Sequence, residues 1–280
     1  MSILSGTSRL AGITGWPVTH SRSPRLHGFW LRRHGIDGAY MPLGMKPEDF
    51  GIAIRGLVAL GFRGCNVTQP HKLAAFDICD EVEDFARRAG AVNTLTFADG
   101  KISGRNTDGY GFVAHLRASG VDFTAGPALV LGAGGSARAI VAALQDEGVR
   151  VSIANRTRAR ADELASALPG LRVLDWERRT DALHDHALLV NTTSLGMAGH
   201  EALEIDLDRA AARLAVADIV YVPLETPLLA AARARGLLAV DGLGMLLHQA
   251  VPGFSTWFGV TPVVDEELRR FVAADLIDAR

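Results

Sequence analysis

The sequence predicts an α/β fold in two parts: a doubly wound, mostly parallel sheet from about residue 108 to 241, preceded by a mixed α/β segment. Three observations predict it. Short apolar runs of β character alternate with helical stretches through the middle of the chain. A glycine-rich turn joins one of these runs directly to a helix. The chain has 280 residues, enough for two modest domains at roughly 100–200 residues each.

In the first segment, residues 12–14, 40–43, 63–67 and 92–97 read as strands, and 47–60 and 71–89 as helices. Asp99-Gly100 suits a two-residue hairpin turn between 92–97 and 101–103. In the middle, strands are expected at 128–131, 149–153, 188–190, 216–221 and 237–240, with helices at 137–145, 157–167 and 227–235. Two further helices are expected at 243–251 and 265–277, suited to pack back on the first segment.

Composition narrows the function classes. Lys plus Arg is 29 and Asp plus Glu is 31, so the formal net charge is −2. That balance argues against a general nucleic-acid or anionic-membrane binder. Hydrophobic residues at 48% exclude wholesale disorder. Cys65 and Cys79 cannot form a disulfide framework, and no Cys/His cluster suggests a metal, so both read as small buried hydrophobes in a reducing compartment. The first 15 residues lack the pattern of a secretory signal, and no apolar run reaches the roughly 20 residues of a spanning helix. A cytoplasmic protein is expected.

The run 128–131 leads into Gly132-Ala133-Gly134-Gly135-Ser136-Ala137, which opens a helix. This is the strand–turn–helix setting of a dinucleotide fingerprint in its G-x-G-x-x-A form. Gly132 permits the tight turn, Gly134 lets the backbone approach a pyrophosphate, and Ala137 lets the helix pack on the strand. The helix N-terminus offers N–H donors to the phosphates. The next strand leads into Asn155-Arg156-Thr157-Arg158-Ala159-Arg160, with no carboxylate at the ribose position. Guanidinium groups there suit a 2′-phosphate, so NADP is the expected cofactor. Two charge-assisted hydrogen bonds at roughly 1.5–3 kcal/mol each would favour NADP over NAD by about two to four orders of magnitude. The plain alternative is an arginine-rich solvated first turn.

Four polar clusters interrupt the apolar pattern of the first segment. His20-Ser21-Arg22-Ser23-Pro24 can present two hydroxyls to one ligand, or Ser23 can cap a helix with proline at its first position. Asn66-Val67-Thr68-Gln69-Pro70-His71-Lys72 ends a strand and opens a helix; Thr68 is a candidate cap. Lys72 then sits in the first turn, where the dipole disfavours its ammonium form and tunes it toward proton transfer. Its plain alternative is an exposed lysine. Gly90-Ala91-Val92-Asn93-Thr94 places an amide at a strand start, and Gly104-Arg105-Asn106-Thr107-Asp108 places a carboxylate at a helix N-terminus. A turn-forming Asn and a capping Asp are the structural alternatives. Each cluster alone favours its structural reading; their number favours a shared site.

These motifs together resemble the shikimate dehydrogenase family, NADP-dependent enzymes of aromatic amino-acid biosynthesis. The resemblance rests on the four clusters, Gly15-Trp16-Pro17, residues 132–138 and Asn155-Arg156-Thr157. It extends through Asn191-Thr192-Thr193-Ser194-Leu195-Gly196-Met197, Asp218-Ile219-Val220-Tyr221, Thr226-Pro227-Leu228-Leu229 and 241–250. It implies a discontinuous substrate domain, 1–107 with 243–280, and a Rossmann domain at 108–242. It implies Lys72 and Asp108 as the catalytic pair. Ser21, Ser23, Asn66, Thr68, Asn93, Tyr221 and Gln249 fall at positions that bind shikimate. Gly132, Ala133, Gly134, Gly135 and Ser136 would hold the pyrophosphate, and Asn155, Arg156, Thr157, Arg158 and Arg160 the 2′-phosphate region. Ile219 and Gly242 would lie along the nicotinamide half. No metal is implied, and family members occur as monomers and homodimers. Gly28 and Gln69 depart from the family's usual Asn and apolar residue. Both serines of the first cluster favour shikimate over quinate. Quinate or aminoshikimate dehydrogenases and a catalytically silent NADP sensor are the alternatives on this scaffold.

Overall fold

The computed structural model describes residues 4–277. The ends of the expected domain spans, residues 1–3 and 278–280, lie outside the described residues. The chain divides into two compact units. One comprises the chain up to Thr107 together with Gln249–Val272; the other comprises Asp108–His248 and the residues from Ala273.

The first unit is built on a mixed six-stranded sheet. Its elements are β1 (Arg9–Gly15), α1 (Ser23–Arg33), β2 (Gly38–Gly44), α2 (Phe50–Ala59), β3 (Gly64–Val67), α3 (Lys72–Asp77), β4 (Glu81–Val82), α4 (Asp84–Ala89), β5 (Thr94–Ala98) and β6 (Lys101–Arg105). The strand order is β2-β1-β3-β5-β6-β4. β2 and β3 run parallel to β1, and β5 runs antiparallel to β3 and β6. The hairpin expected at Asp99-Gly100 is present: both residues have positive φ, and Ala98 pairs with Lys101. The helix expected over 71–89 is not. Asp80 and Glu83 instead hydrogen-bond the backbone of Ile102 and Gly104, which draws 81–82 into the sheet and splits the helix into α3 and α4.

Side-chain alternation along the strands gives this sheet two faces. Met41, Cys65 and Val67 pack with Phe50, Ile54 and Leu57 of α2. Tyr40 takes the opposite direction and meets His27 of α1 and Trp257.

The second unit begins with α5 (Asp108–Ala118) and continues through β7 (Ala128–Leu131), α6 (Gly135–Asp146), β8 (Val151–Ala154), α7 (Arg158–Ala167), β9 (Arg172–Leu174), β10 (Leu188–Asn191), β11 (Ala215–Asp218), α8 (Pro227–Ala234) and β12 (Leu238–Val240). Its sheet is wholly parallel, ordered β12-β11-β10-β7-β8-β9. The order reverses between β7 and β10, the doubly wound arrangement in which ligands bind beyond the strand C-termini at the switch point. Buried residues throughout β7, β8, β10 and β11 are what a parallel sheet covered on both faces demands. The strand expected over 216–221 stops at Asp218, because its carboxylate accepts the N–H of Val220 and turns the chain.

The last helices are α9 (Gly242–Phe258) and α10 (Glu266–Ile277). The helix expected to end at residue 251 runs on through Pro252. An interior proline costs about 3 kcal/mol. Phe254, Trp257 and Phe258, each at most 2% exposed, bury enough apolar surface to outweigh it. Contacts divide the chain at Gln249, inside this one helix, rather than at 243.

Candidate functional site

In the first unit the sequence-predicted amides converge. Asn66 on β3 lies directly opposite Thr94 on β5, and its Nδ2 donates to Thr94 Oγ1 at 3.1 Å and to the Asn93 carbonyl at 3.3 Å. Thr94 Oγ1 donates to Asn93 Oδ1 at 2.9 Å. That oxygen also accepts the backbone N–H of Thr107 at 2.8 Å. Asn93 Nδ2 donates to Thr107 Oγ1 at 3.1 Å and reaches Gln249 Oε1 at 3.5 Å. Asn66, Asn93, Thr94, Thr107 and Gln249 are all buried. Buried polar groups persist where they are paired, and here they pair with one another.

The serine pair is linked within itself: Ser21 Oγ accepts the N–H of Ser23 at 3.3 Å, and Ser23 is buried. Ser23 is already inside α1 and no side chain caps that helix, so the capping alternative does not hold. Thr68 does not cap α3 either. His71 takes the N-cap position without a side-chain cap bond, and Thr68 supplies its carbonyl to the His71 N–H. The buried His71 ring donates from Nε2 to the Met45 carbonyl at 2.8 Å and stacks on Phe50, fixing the start of α3. Lys72, half-buried, opens α3, and its carbonyl accepts the N–H of Val92, the neighbour of Asn93. Asp108, buried, follows Thr107 directly and opens α5 in the second unit.

Sequence reasoning missed Tyr40, Thr94 and His27 as members of this neighbourhood. Tyr40 Oη donates to Asn66 Oδ1 at 2.6 Å. Burial, with a smaller contribution from Cys65, pushes the phenol well above its ordinary range, so it keeps the proton it donates. His27 stacks on Tyr40 with ring centroids 3.8 Å apart and planes 1° from parallel. The only sequence signal was an aromatic at an inward-facing strand position, which reads equally as core.

In the second unit the glycine turn has the geometry a dinucleotide needs. Gly132 has φ +107°, and a Cβ there would stand 2.5 Å from Thr192 Oγ1. Gly134 is the N-cap of α6 with no side-chain cap bond, and a Cβ there would meet nothing within 4 Å. The N–H groups of Gly135 and Ser136 thus open α6 without side-chain caps, while Ala137 is fully buried against the sheet. Ala133 lies between the two turn glycines. These residues fit a pyrophosphate. Beyond β8, Asn155 Nδ2 donates to the Thr157 carbonyl at 2.8 Å, and Thr157 is the N-cap of α7. Arg158 pairs with Asp162 at 3.6 Å and with Asp175. Arg156 and Arg160 make no ion pair among the described residues, which leaves them the better partners for an added phosphate.

At the end of β11, Asp218 organises the chain. It accepts hydrogen bonds from Asn191 Nδ2, the Val220 N–H and the Thr226 hydroxyl. Burial raises its carboxyl to about 6 against these three bonds. Ile219 follows, half-buried, with its N–H on the Asn191 carbonyl. Gly242 approaches so closely that a Cβ would stand 2.2 Å from the Ile219 oxygen. The structure therefore brings Ile219 and Gly242 together; Tyr221, half-buried, lies two residues on. Among the described residues, no group of three His, Cys, Asp or Glu is placed to hold a metal, and no helix is long and apolar enough to cross a membrane.

Known proteins share this architecture. Residues 13–95 match the shikimate dehydrogenase substrate binding domain, and 115–219 the shikimate / quinate 5-dehydrogenase family. The chain is 68% identical to the NADP(+) shikimate dehydrogenase of Acidiphilium cryptum, over 98% of this chain and 99% of that one. The shikimate 5-dehydrogenase of Thermus thermophilus, solved with NADP(H) and shikimate, is 36% identical and superposes with a TM-score of 0.87, covering 96% of this chain and 99% of its own. The quinate dehydrogenase of Corynebacterium glutamicum, solved with NAD, is 31% identical with a TM-score of 0.89, covering 95% and 99%. Motifs, sheet order and similarity over nearly the full length agree: the chain belongs to the shikimate dehydrogenase family.

Proposed function

We propose that this protein is an NADP-dependent shikimate dehydrogenase, which reversibly reduces 3-dehydroshikimate to shikimate. The observation that carries the reading is the buried constellation of Asn66, Asn93 and Gln249 in one unit of a chain whose other unit carries the glycine turn and unpaired arginines. Amides that both donate and accept suit a ring bearing several hydroxyls and a carboxylate. Ser21, Ser23 and Thr68 add hydroxyls, and Tyr221 a phenol, to the same recognition.

NADPH, when bound, supplies the hydride. The chain's residues manage the charge that develops on the ketone oxygen. The Lys72 ammonium stabilises that charge and delivers the proton, and takes it back in the reverse direction. The Asp108 carboxylate, the other member of the catalytic pair, accepts from a ring hydroxyl and orients the substrate. Within the first unit the Lys72 carbonyl accepts the N–H of Val92, and the Thr107 N–H is held by the Asn93 side chain. A cytoplasmic monomer or homodimer fits the two free cysteines.

Lys72→Ala tests the assignment. Turnover should fall by about two orders of magnitude or more with little change in shikimate affinity. A rise in KM with turnover retained would make Lys72 a binding residue only. Shikimate and quinate crossed with NADP and NAD, followed by nicotinamide absorbance, separates this reading from quinate dehydrogenase and from a silent sensor.

A further inference from the structure

From the hydrogen-bond directions we infer that Tyr40 is a positioning residue for substrate recognition: its hydroxyl fixes the orientation of the Asn66 amide. The inference rests on the reading of Asn66 and Asn93 as substrate-binding residues. It follows from groups whose roles are fixed by chemistry. The Asn93 carbonyl can only accept, so the Asn66 group facing it must be the NH2. Asn66 Oδ1 then faces Tyr40, and the phenol must donate to it. The single phenol proton is spent there.

The same logic runs onward. Thr94 Oγ1 accepts from Asn66, so its own proton goes to Asn93 Oδ1. The Thr107 backbone N–H can only donate, which independently pins Oδ1 of Asn93 on that side. The donors therefore run one way, from Tyr40 through Asn66 and Thr94 to Asn93. A reversed amide at Asn66 would set two oxygens face to face at its carbonyl contact. His27 holds the phenol in place by lying flat against it, with Trp30, Phe254 and Trp257 around the imidazole. Removing the Tyr40 hydroxyl leaves Asn66 Oδ1 without its donor and loosens an amide then held only at Nδ2, while the ring stack remains.

Steady-state kinetics of the full-length enzyme test this with Tyr40→Phe, Asn66→Ala and the double variant. Tyr40→Phe should raise KM for shikimate about tenfold, leave kcat within about twofold and leave KM for NADP unchanged. In the double variant KM should equal that of Asn66→Ala alone, because Tyr40 acts through Asn66. Thr94→Val is a second route to the same chain and should raise shikimate KM in the same sense. Additive effects in the double variant, or an unchanged shikimate KM in Tyr40→Phe, overturn the inference while leaving the site assignment standing. An unchanged KM in Asn66→Ala and Asn93→Ala overturns the site assignment and the inference with it.

Discussion

The amide of Asn191 and the carboxylate of Asp218 meet across neighbouring parallel strands, Nδ2 donating to Oδ1 at 3.0 Å. Asn191 Oδ1 in turn accepts from the N–H and hydroxyl of Thr193, and Asp218 Oδ2 from Thr226 at 2.8 Å. One carboxylate thus ties together the loops that follow β10 and β11 and the cap of α8. Its burial has a pH signature. The carboxyl binds its proton more tightly when folded, at about 6, than the ordinary 3.8. Its contribution is therefore full below about pH 3.8 and fades as pH rises through 6, by roughly 3 kcal/mol. In urea titrations the stability gap between wild type and Asp218→Asn should narrow from pH 4.5 to pH 7. A constant gap would show that Asp218 does not titrate there.

His27 works in the opposite sense. Complete burial lowers its pKa from 6.5 to about 3, and its ring nitrogens have no hydrogen-bond partner among the described residues. The unfolded chain takes up a proton below pH 6.5 that the folded protein refuses. Stability from this group is present above pH 6.5 and is lost as pH falls toward 3, at up to about 1.4 kcal/mol per pH unit. His27→Gln should lose this acid sensitivity: its stability relative to wild type should improve as pH drops from 6.5 to 4.5. Because Asp218 and His27 slope oppositely between pH 3.8 and 6, the wild-type curve partly hides both, and the single variants expose them.

Arg156 and Arg158 differ in what already holds them. Arg158 is engaged by Asp162 and Asp175. Arg156→Leu should weaken NADP roughly 10- to 150-fold, the worth of one charge-assisted bond, and leave NAD nearly unchanged. Arg158→Leu should do less. Equal losses for both cofactors in Arg156→Leu would remove the 2′-phosphate argument.

Gly242→Ala forces a methyl group against the Ile219 carbonyl, 2.2 Å away. Overpacking of this kind costs about 1–3 kcal/mol. A lower melting temperature with weaker NADP binding is expected by calorimetry; wild-type values for both would mean that the Ile219 loop yields freely.

The doubly wound sheet was legible because its signals are local. Strand and helix periods, Gly132 and Gly134 can be read within a dozen residues. The buried polar group of the first unit was only half legible. Asn66 and Asn93 stand out as polar residues at element ends, but their meeting depends on the antiparallel register that sets Asn66 opposite Thr94. Gln249 comes from more than 150 residues away in sequence. Tyr40 and His27 were hidden because an aromatic beside apolar neighbours has the pattern of core. The breaks at 78–83 and the continuation past Pro252 were set by partners, Ile102 in one case and the aromatic core in the other.

The two-segment construction of the first unit has a consequence for synthesis on the ribosome. β12 ends at Val240, so every strand of the parallel sheet has been synthesised before the aromatic half of α9 exists. Trp257 Nε1, which donates to the Leu95 carbonyl, and Phe258, whose carbonyl accepts from Arg9, are synthesised only after that sheet. The unit whose strands are translated first is completed only after the second sheet, and until then the face of its β1–β6 sheet that meets Trp257 has only α1 against it, exposed surface of the kind nascent-chain chaperones bind.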